Sequence, residues 1–194
     1  MKGASNICRL TQFITLANIG NVIYTVHPAS LEFIVSRTFP AYHPKAGQET
    51  DFVEKILVSI GFVDPIKWCD KTVPDPKHHT IRAGNRWEAG DMASLRYLDG
   101  RPYHSKQVEF AQVEIKKVWP IEIRPVKTGD STANVSFFVN GEVIEADVLH
   151  RLSKNDGLSL GDLVDWFIPE GTRFIIGIPI FTGQIICWSD KVNY

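Results

Sequence analysis

Cysteine is scarce: the 194 residues hold three, Cys8, Cys69 and Cys187. Their spacing fits neither a zinc site nor a redox pair, and an odd number argues against a disulfide framework. The chain therefore reads as one that folds with free thiols in a reducing, cytoplasmic compartment. No run of 18 or more apolar residues occurs, which excludes a membrane-spanning helix. An excess of charge of either sign is missing too. With 21 Lys and Arg against 22 Asp and Glu the net charge is −1, which excludes a strongly basic coat for nucleic acid but not a local basic patch. The histidines lack metal-ligand spacing. His78 and His79 are adjacent and would point to opposite faces of a strand, while His27, His43, His104 and His150 stand apart, so no metal or cofactor is expected. What is present is ordinary globular composition, 44% hydrophobic and 22% charged, and this rules out a disordered tail, a collagen-like fibre and a coiled coil. The length suits one domain.

The first thirty residues carry a faint secretion-signal outline, with Lys2 and Arg9 ahead of Phe13, Ile14, Leu16 and Ala17. Gln12, Asn18, Gly20 and Asn21 break the apolar core such a signal needs. Residues 1–30 are read as an N-terminal extension outside the fold, and 31–194 as the domain. Leu31 to Arg37 alternates as a strand. Thr50 is placed to cap a helix with Phe52, Val53, Ile56, Leu57 and Ile60 on one face and Gly61 as its stop. A long loop follows to His79, then short strands at Thr80 to Ala83 and Ala93 to Leu98. Val108 to Trp119 is a long strand candidate whose apolar phase slips between Phe110 and Ala111, the sign of a bulge or of burial on both faces. Asn140-Gly141 supplies the two positive φ values of a type I′ hairpin between Ser136 to Val139 and Glu142 to Ile144. Ser159, with Asp162 three residues on, caps a second helix. Phe174 to Ile178 and Gln184 to Trp188 complete about six or seven strands and two helices, an α+β fold with a curled sheet or barrel.

Three blocks carry a resemblance: Ser36 to Gly47; Lys77-His78-His79-Thr80-Ile81-Arg82 with Ala83 to Trp87; and Lys154 to Leu160 together with Phe181 to Trp188. They resemble small proteins of bacteriophages and Bacteroidetes-type bacteria and, more distantly, the ASCH family of the PUA-like superfamily. The resemblance covers Leu31 to Tyr194. It implies a small β-barrel with flanking helices, a cleft at one end, and RNA or a modified nucleoside or nucleotide as partner. One branch of that family removes the acetyl group from acetylated cytidine without metal, using a Lys-x-x-Thr-Ile-Arg motif and a Glu before a helix. Lys77, Thr80 and Arg82 match the motif, and Asp156 falls at the Glu position, one methylene shorter.

Two functions follow as expectations. In the first, the chain is a nucleic-acid or nucleotide-binding module. Arg82 and Arg86 would grip phosphate bidentately, Trp87 would stack on a base, and Arg37 and Lys45 would add positive charge from the loop after the first strand. In the second, it is a metal-independent amidohydrolase of an acylated cytidine-type nucleoside. Thr80 is then the nucleophile, Lys77 its activator and Asp156 the group that orients Lys77 or activates water. Lys77 and Thr80 converge only if the chain turns between them, since residues three apart on a strand face opposite sides. Otherwise they are a salt-bridged lysine and a β-branched strand residue. A third class is a phage protein that binds a host factor.

Overall fold

The computed structural model describes residues 16–18, 23–25, 31–62, 72–100, 105–128, 132–172, 174–176 and 178–194. The chain divides into two units, Met1–Ser30 and Leu31–Tyr194. In the first, β1 (Leu16–Asn18) pairs antiparallel with β2 (Ile23–Thr25).

The second unit runs β3 (Leu31–Ile34), α1 (Phe52–Ser59), β4 (His79–Ala83), β5 (Met92–Asp99), β6 (Lys106–Glu114), β7 (Lys117–Thr128), β8 (Thr132–Val139), β9 (Glu142–Val143), α2 (Ala146–Asn155), α3 (Leu160–Phe167) and β10 (Phe181–Cys187). Among the described residues the fold is α+β, as expected. Its strands form two open sheets, ordered β4-β10-β7-β8-β9 and β3-β5-β6, and no ladder closes them into a barrel. All pairs are antiparallel except β3 with β5. One apolar core joins both sheets to the helices. It takes Phe33, Leu95 and Val113 from the smaller sheet, Ile81, Ile121, Ile123 and Ile185 from the larger, and Phe52, Ile56, Leu152 and Leu163 from the helices.

Local chemistry accounts for several boundaries. Asn140 and Gly141 take φ of 54° and 83°, the paired left-handed values of the type I′ turn that joins β8 to β9. The phase slip in β6 is a bulge: Leu95 faces Ala111 but Arg96 faces Glu109, leaving Phe110 as the extra residue. Ser159 Oγ accepts from the Asp162 backbone N–H at 3.1 Å and caps α3.

Other boundaries differ from expectation. Val108 to Trp119 is two strands, β6 and β7, because Ile115 turns aside to exchange backbone hydrogen bonds with Gly90 and Asp91. Asp51, at φ 55°, holds the cap position of α1 without a side-chain bond, while Thr50 one residue earlier donates its hydroxyl to the Ser36 carbonyl at 2.8 Å and accepts from the Phe52 N–H at 3.4 Å. α2 is a third helix. Phe174 to Ile178 makes no strand at its described residues, and Phe174, Ile175, Ile176 and Ile178 are exposed. Cys187 is free and buried; Cys8 and Cys69 lie outside the described residues. No described helix is long and apolar enough to cross a membrane.

Candidate functional site

Lys77 enters the core just ahead of β4. Its backbone is fixed from two sides: its own N–H donates to the Lys55 carbonyl at 3.0 Å, and the His78 N–H donates to the Asn155 carbonyl at 2.8 Å. The side chain is only 2% exposed. Nζ donates to Asp156 Oδ1 at 2.7 Å and to the Asp156 backbone carbonyl, and lies 4.2 Å from the Phe52 ring centroid. Asp156 closes α2 as its C-cap. The next residue has to be glycine: Gly157 has φ +74°, and a Cβ there would stand 3.2 Å from both Lys55 Cδ and Lys77 Cβ.

Burial brings the Lys77 ammonium down to about 8, against the opposing pull of Asp156. Burial alone would raise the Asp156 carboxyl. The Lys77 charge and the His79 contact outweigh it and hold Asp156 below its usual range. The pair is thus a lysine that sheds its proton at about 8 beside a carboxylate held ionised.

A further chain of groups stands behind Asp156. His79 is fully buried, with Nδ1 in long contact with Asp156 Oδ1 at 3.4 Å. Its Nε2 is 2.7 Å from the Tyr194 hydroxyl, which accepts from Asn155 Nδ2 at 3.0 Å. Asn155 donates to the phenol oxygen through Nδ2, which leaves the phenol proton available to His79 Nε2, while His79 Nδ1 is buried beside Asp156 without a hydrogen-bond partner. Burial lowers the His79 pKa and keeps the ring neutral, and burial raises the Tyr194 phenol above its ordinary value. Sequence reasoning did not find His79 or Tyr194. Strand alternation does put His79 on the opposite face of β4 from Thr80, but nothing in the sequence says what that face meets.

Thr80 and Arg82 share the other face. Both line a cavity of about 40 Å³ with Lys77, Asp156, Phe52 and Trp166. Lys77, just ahead of β4, and Thr80 within it line one chamber although three residues apart. Among the described residues the Thr80 hydroxyl has no hydrogen-bond partner. A second cavity of about 470 Å³, lined by Glu32, Ile34, Arg86, Trp87 and Gln107, shares Arg82 and Phe33 with the first. Arg82 is therefore common to a small inner chamber and a wide outer one. Its Nη2 donates to the Ile34 carbonyl at 2.6 Å, its guanidinium lies 5.1 Å from the Phe33 ring centroid, and its Nε is buried without a partner. Close strand contact fixes this segment: a Cβ on Gly183 would come within 2.1 Å of the Arg82 carbonyl oxygen, so only glycine lets β10 lie against β4 there.

Compared with protein-family models, curated proteins and solved structures, the chain matches none. The site stands on its own geometry.

The remaining candidates lie elsewhere or serve otherwise. Arg37 sits over the Tyr97 ring at 5.2 Å and Lys45 pairs with Asp162 at 2.8 Å; neither lines either of these two cavities. Arg86 does line the outer chamber, resting 5.3 Å from the Trp87 ring centroid and donating to the Glu32 carbonyl at 3.3 Å rather than pairing with Glu88 or Asp91. Trp87 is 2% exposed and packs edge-on against Phe33 at 5.5 Å, with its backbone N–H and carbonyl bonded to the Gln184 side chain. Its ring is part of the core, which leaves no free face for a base to stack on. Among the described residues no group of three or more His, Cys, Asp or Glu is placed to hold a metal ion.

Proposed function

We propose that this protein is an amidohydrolase that removes a small acyl group from an acylated cytidine-type nucleoside, on a scaffold akin to the ASCH branch of the PUA-like superfamily. The observation that carries this reading is the inner chamber. A buried lysine, brought down to about 8, shares a cavity of about 40 Å³ with a threonine hydroxyl and with the carboxylate that holds the lysine. That space admits a water or a short acyl chain but not a nucleoside, whereas the adjoining 470 Å³ falls within the range of small-ligand sites. The division fits a substrate whose acyl group enters the inner chamber while its base and sugar stay outside.

Neutral Lys77 takes the proton from Thr80 Oγ1 as that oxygen attacks the amide carbonyl. The proton then passes to the departing amine, and water cleaves the threonine ester, releasing the acid and restoring the hydroxyl. Asp156 orients Lys77, and Asp in place of Glu is accommodated because the α2 cap brings its carboxylate to 2.7 Å from Nζ.

The test is hydrolysis of acetylated cytidine followed by absorbance. Thr80→Val keeps the side-chain shape, and turnover is expected to fall at least ~10³-fold with the fold intact; retained activity would exclude the nucleophile. Because the active form is the neutral amine, kcat/KM is expected to climb with pH through about 8 and then level. A rate that falls across that interval would exclude Lys77 as the base.

A second reading is nucleotide or RNA binding without turnover. It is favoured by Arg82 and Arg86 facing the outer chamber with backbone carbonyls as their hydrogen-bond partners. Binding of that kind weakens steeply with salt as phosphate contacts release counterions, whereas hydrolysis of a neutral nucleoside is nearly salt-insensitive.

A further inference from the structure

The inner chamber is lined by two cations, Lys77 and Arg82, and by one anion, Asp156. Asp156 is already engaged: Oδ1 lies 2.7 Å from Lys77 Nζ and His79 faces the same oxygen. Among the described residues no carboxylate comes within ion-pair distance of Arg82. Its one hydrogen bond goes to a backbone carbonyl, and its buried Nε has no partner at all. A desolvated guanidinium with no carboxylate in contact, offset only by the Asp156 charge across the chamber, is costly to keep, and a donor fork left open is the shape that recognises a planar oxyanion.

While Lys77 is protonated the lining leaves one positive charge unmatched, and the space is about 40 Å³. Together these favour a monoanion of very few atoms over a phosphate dianion or a long-chain acid. We infer that Arg82 binds the carboxylate of a small monocarboxylic acid, of the size of formate or acetate, in the chamber it shares with Lys77 and Thr80. This rests on the hydrolase reading in one respect: the acid is then the product of deacylation, and the chamber limits the enzyme to short acyl groups. The binding itself does not require turnover.

The direct probe is the Arg82 Nε–H resonance in ¹H–¹⁵N spectra of the full chain, titrated with sodium acetate against sodium chloride at constant ionic strength. A saturable shift with acetate, and none with chloride, is expected. Arg82→Lys, which keeps the charge and loses the planar fork, should weaken acetate binding at least tenfold, read from neighbouring backbone amides. Acetate acting no differently from chloride would overturn the inference without any variant. So would phosphate binding more tightly than acetate, or full acetate affinity in a folded Arg82→Gln protein. Deacylation without acetate binding would sink this inference and leave the hydrolase standing. Acetate binding without deacylation would do the reverse.

Discussion

Two lysine–aspartate pairs in this molecule have almost the same length and very different surroundings. Lys77 and Asp156 meet at 2.7 Å with side chains 2% and 7% exposed; Lys45 and Asp162 meet at 2.8 Å with side chains 46% and 11% exposed. Distance alone would rank them equal. Solvent decides otherwise. Around Lys45, water screens the charges and the pair is worth at most about 1 kcal/mol. Around Lys77, desolvation opposes the charged form, so the amine sits near its titration point at about 8, and each partner depends on the other to be buried at all. A lysine becomes a base through what excludes water from it, here Phe52, Gly157 and the α2 cap, more than through its partner.

The largest effect should come from breaking the buried pair. Asp156→Asn leaves the Lys77 ammonium in the core without a counterion and is expected to cost about 3–5 kcal/mol in chemical denaturation. The double substitution Lys77→Met with Asp156→Leu replaces both charges by apolar groups and should recover most of that loss while remaining inactive. If Asp156→Asn costs less than about 1 kcal/mol, the two pairs are equivalent after all and burial is not what distinguishes them.

The sequence made the short-range parts of this arrangement legible. Asn140-Gly141 announces its turn, the slipped phase at Phe110 announces its bulge, and Ser159 with Asp162 announces the start of α3. The block from Lys77 to Arg82 also points to the site, because period-2 alternation already sets Thr80 beside Arg82. The parts that escaped are those where tertiary context overrides a local rule. β7 continues through Pro120 and Pro125, which in sequence terms should end it. It pairs with β10 over Lys117 to Ile123 and with β8 over Ile121 to Thr128. Each proline therefore falls where one side of the strand is outside a ladder, so neither removes a bond from both. α2 is mostly polar, and its core-packed apolar residues are only Leu149 and Leu152, three apart on one face. Phe174 to Ile178 looks like a strand because its residues are apolar, yet nothing pairs with its described residues. The contact of His79 with Tyr194 spans 115 positions, and no local pattern encodes it.

That contact gives a smaller, sharper test of the buried pair. Tyr194→Phe removes one oxygen from the core. It leaves His79 Nε2 without a donor and Asn155 Nδ2 without an acceptor, at a cost of about 1–3 kcal/mol. It also frees the imidazole beside Asp156 to reorient, changing what faces the carboxylate at 3.4 Å. The pH–rate midpoint assigned to Lys77 should then move, since the carboxylate that opposes its deprotonation is held differently. His79→Gln, which keeps a donor at this position, should lie between the wild type and the tyrosine variant in midpoint. A Tyr194→Phe protein that loses stability but keeps the midpoint would confine the hydrogen-bond chain to packing.

The smallest effect belongs to the exposed pair. Lys45→Ala removes the Asp162 contact and the cation stacked 5.6 Å from the Phe39 ring centroid. Asp162 stays bonded to the Ser159 hydroxyl at 2.6 Å and keeps its place in the α3 cap. The expected loss is within about 1 kcal/mol by denaturation, shrinking further as salt is added, with deacylation unchanged because Lys45 lines neither chamber. A loss of turnover in this variant would mean that the loop after β3 reaches the substrate, and that charge at the rim, as well as burial within, selects what the site accepts.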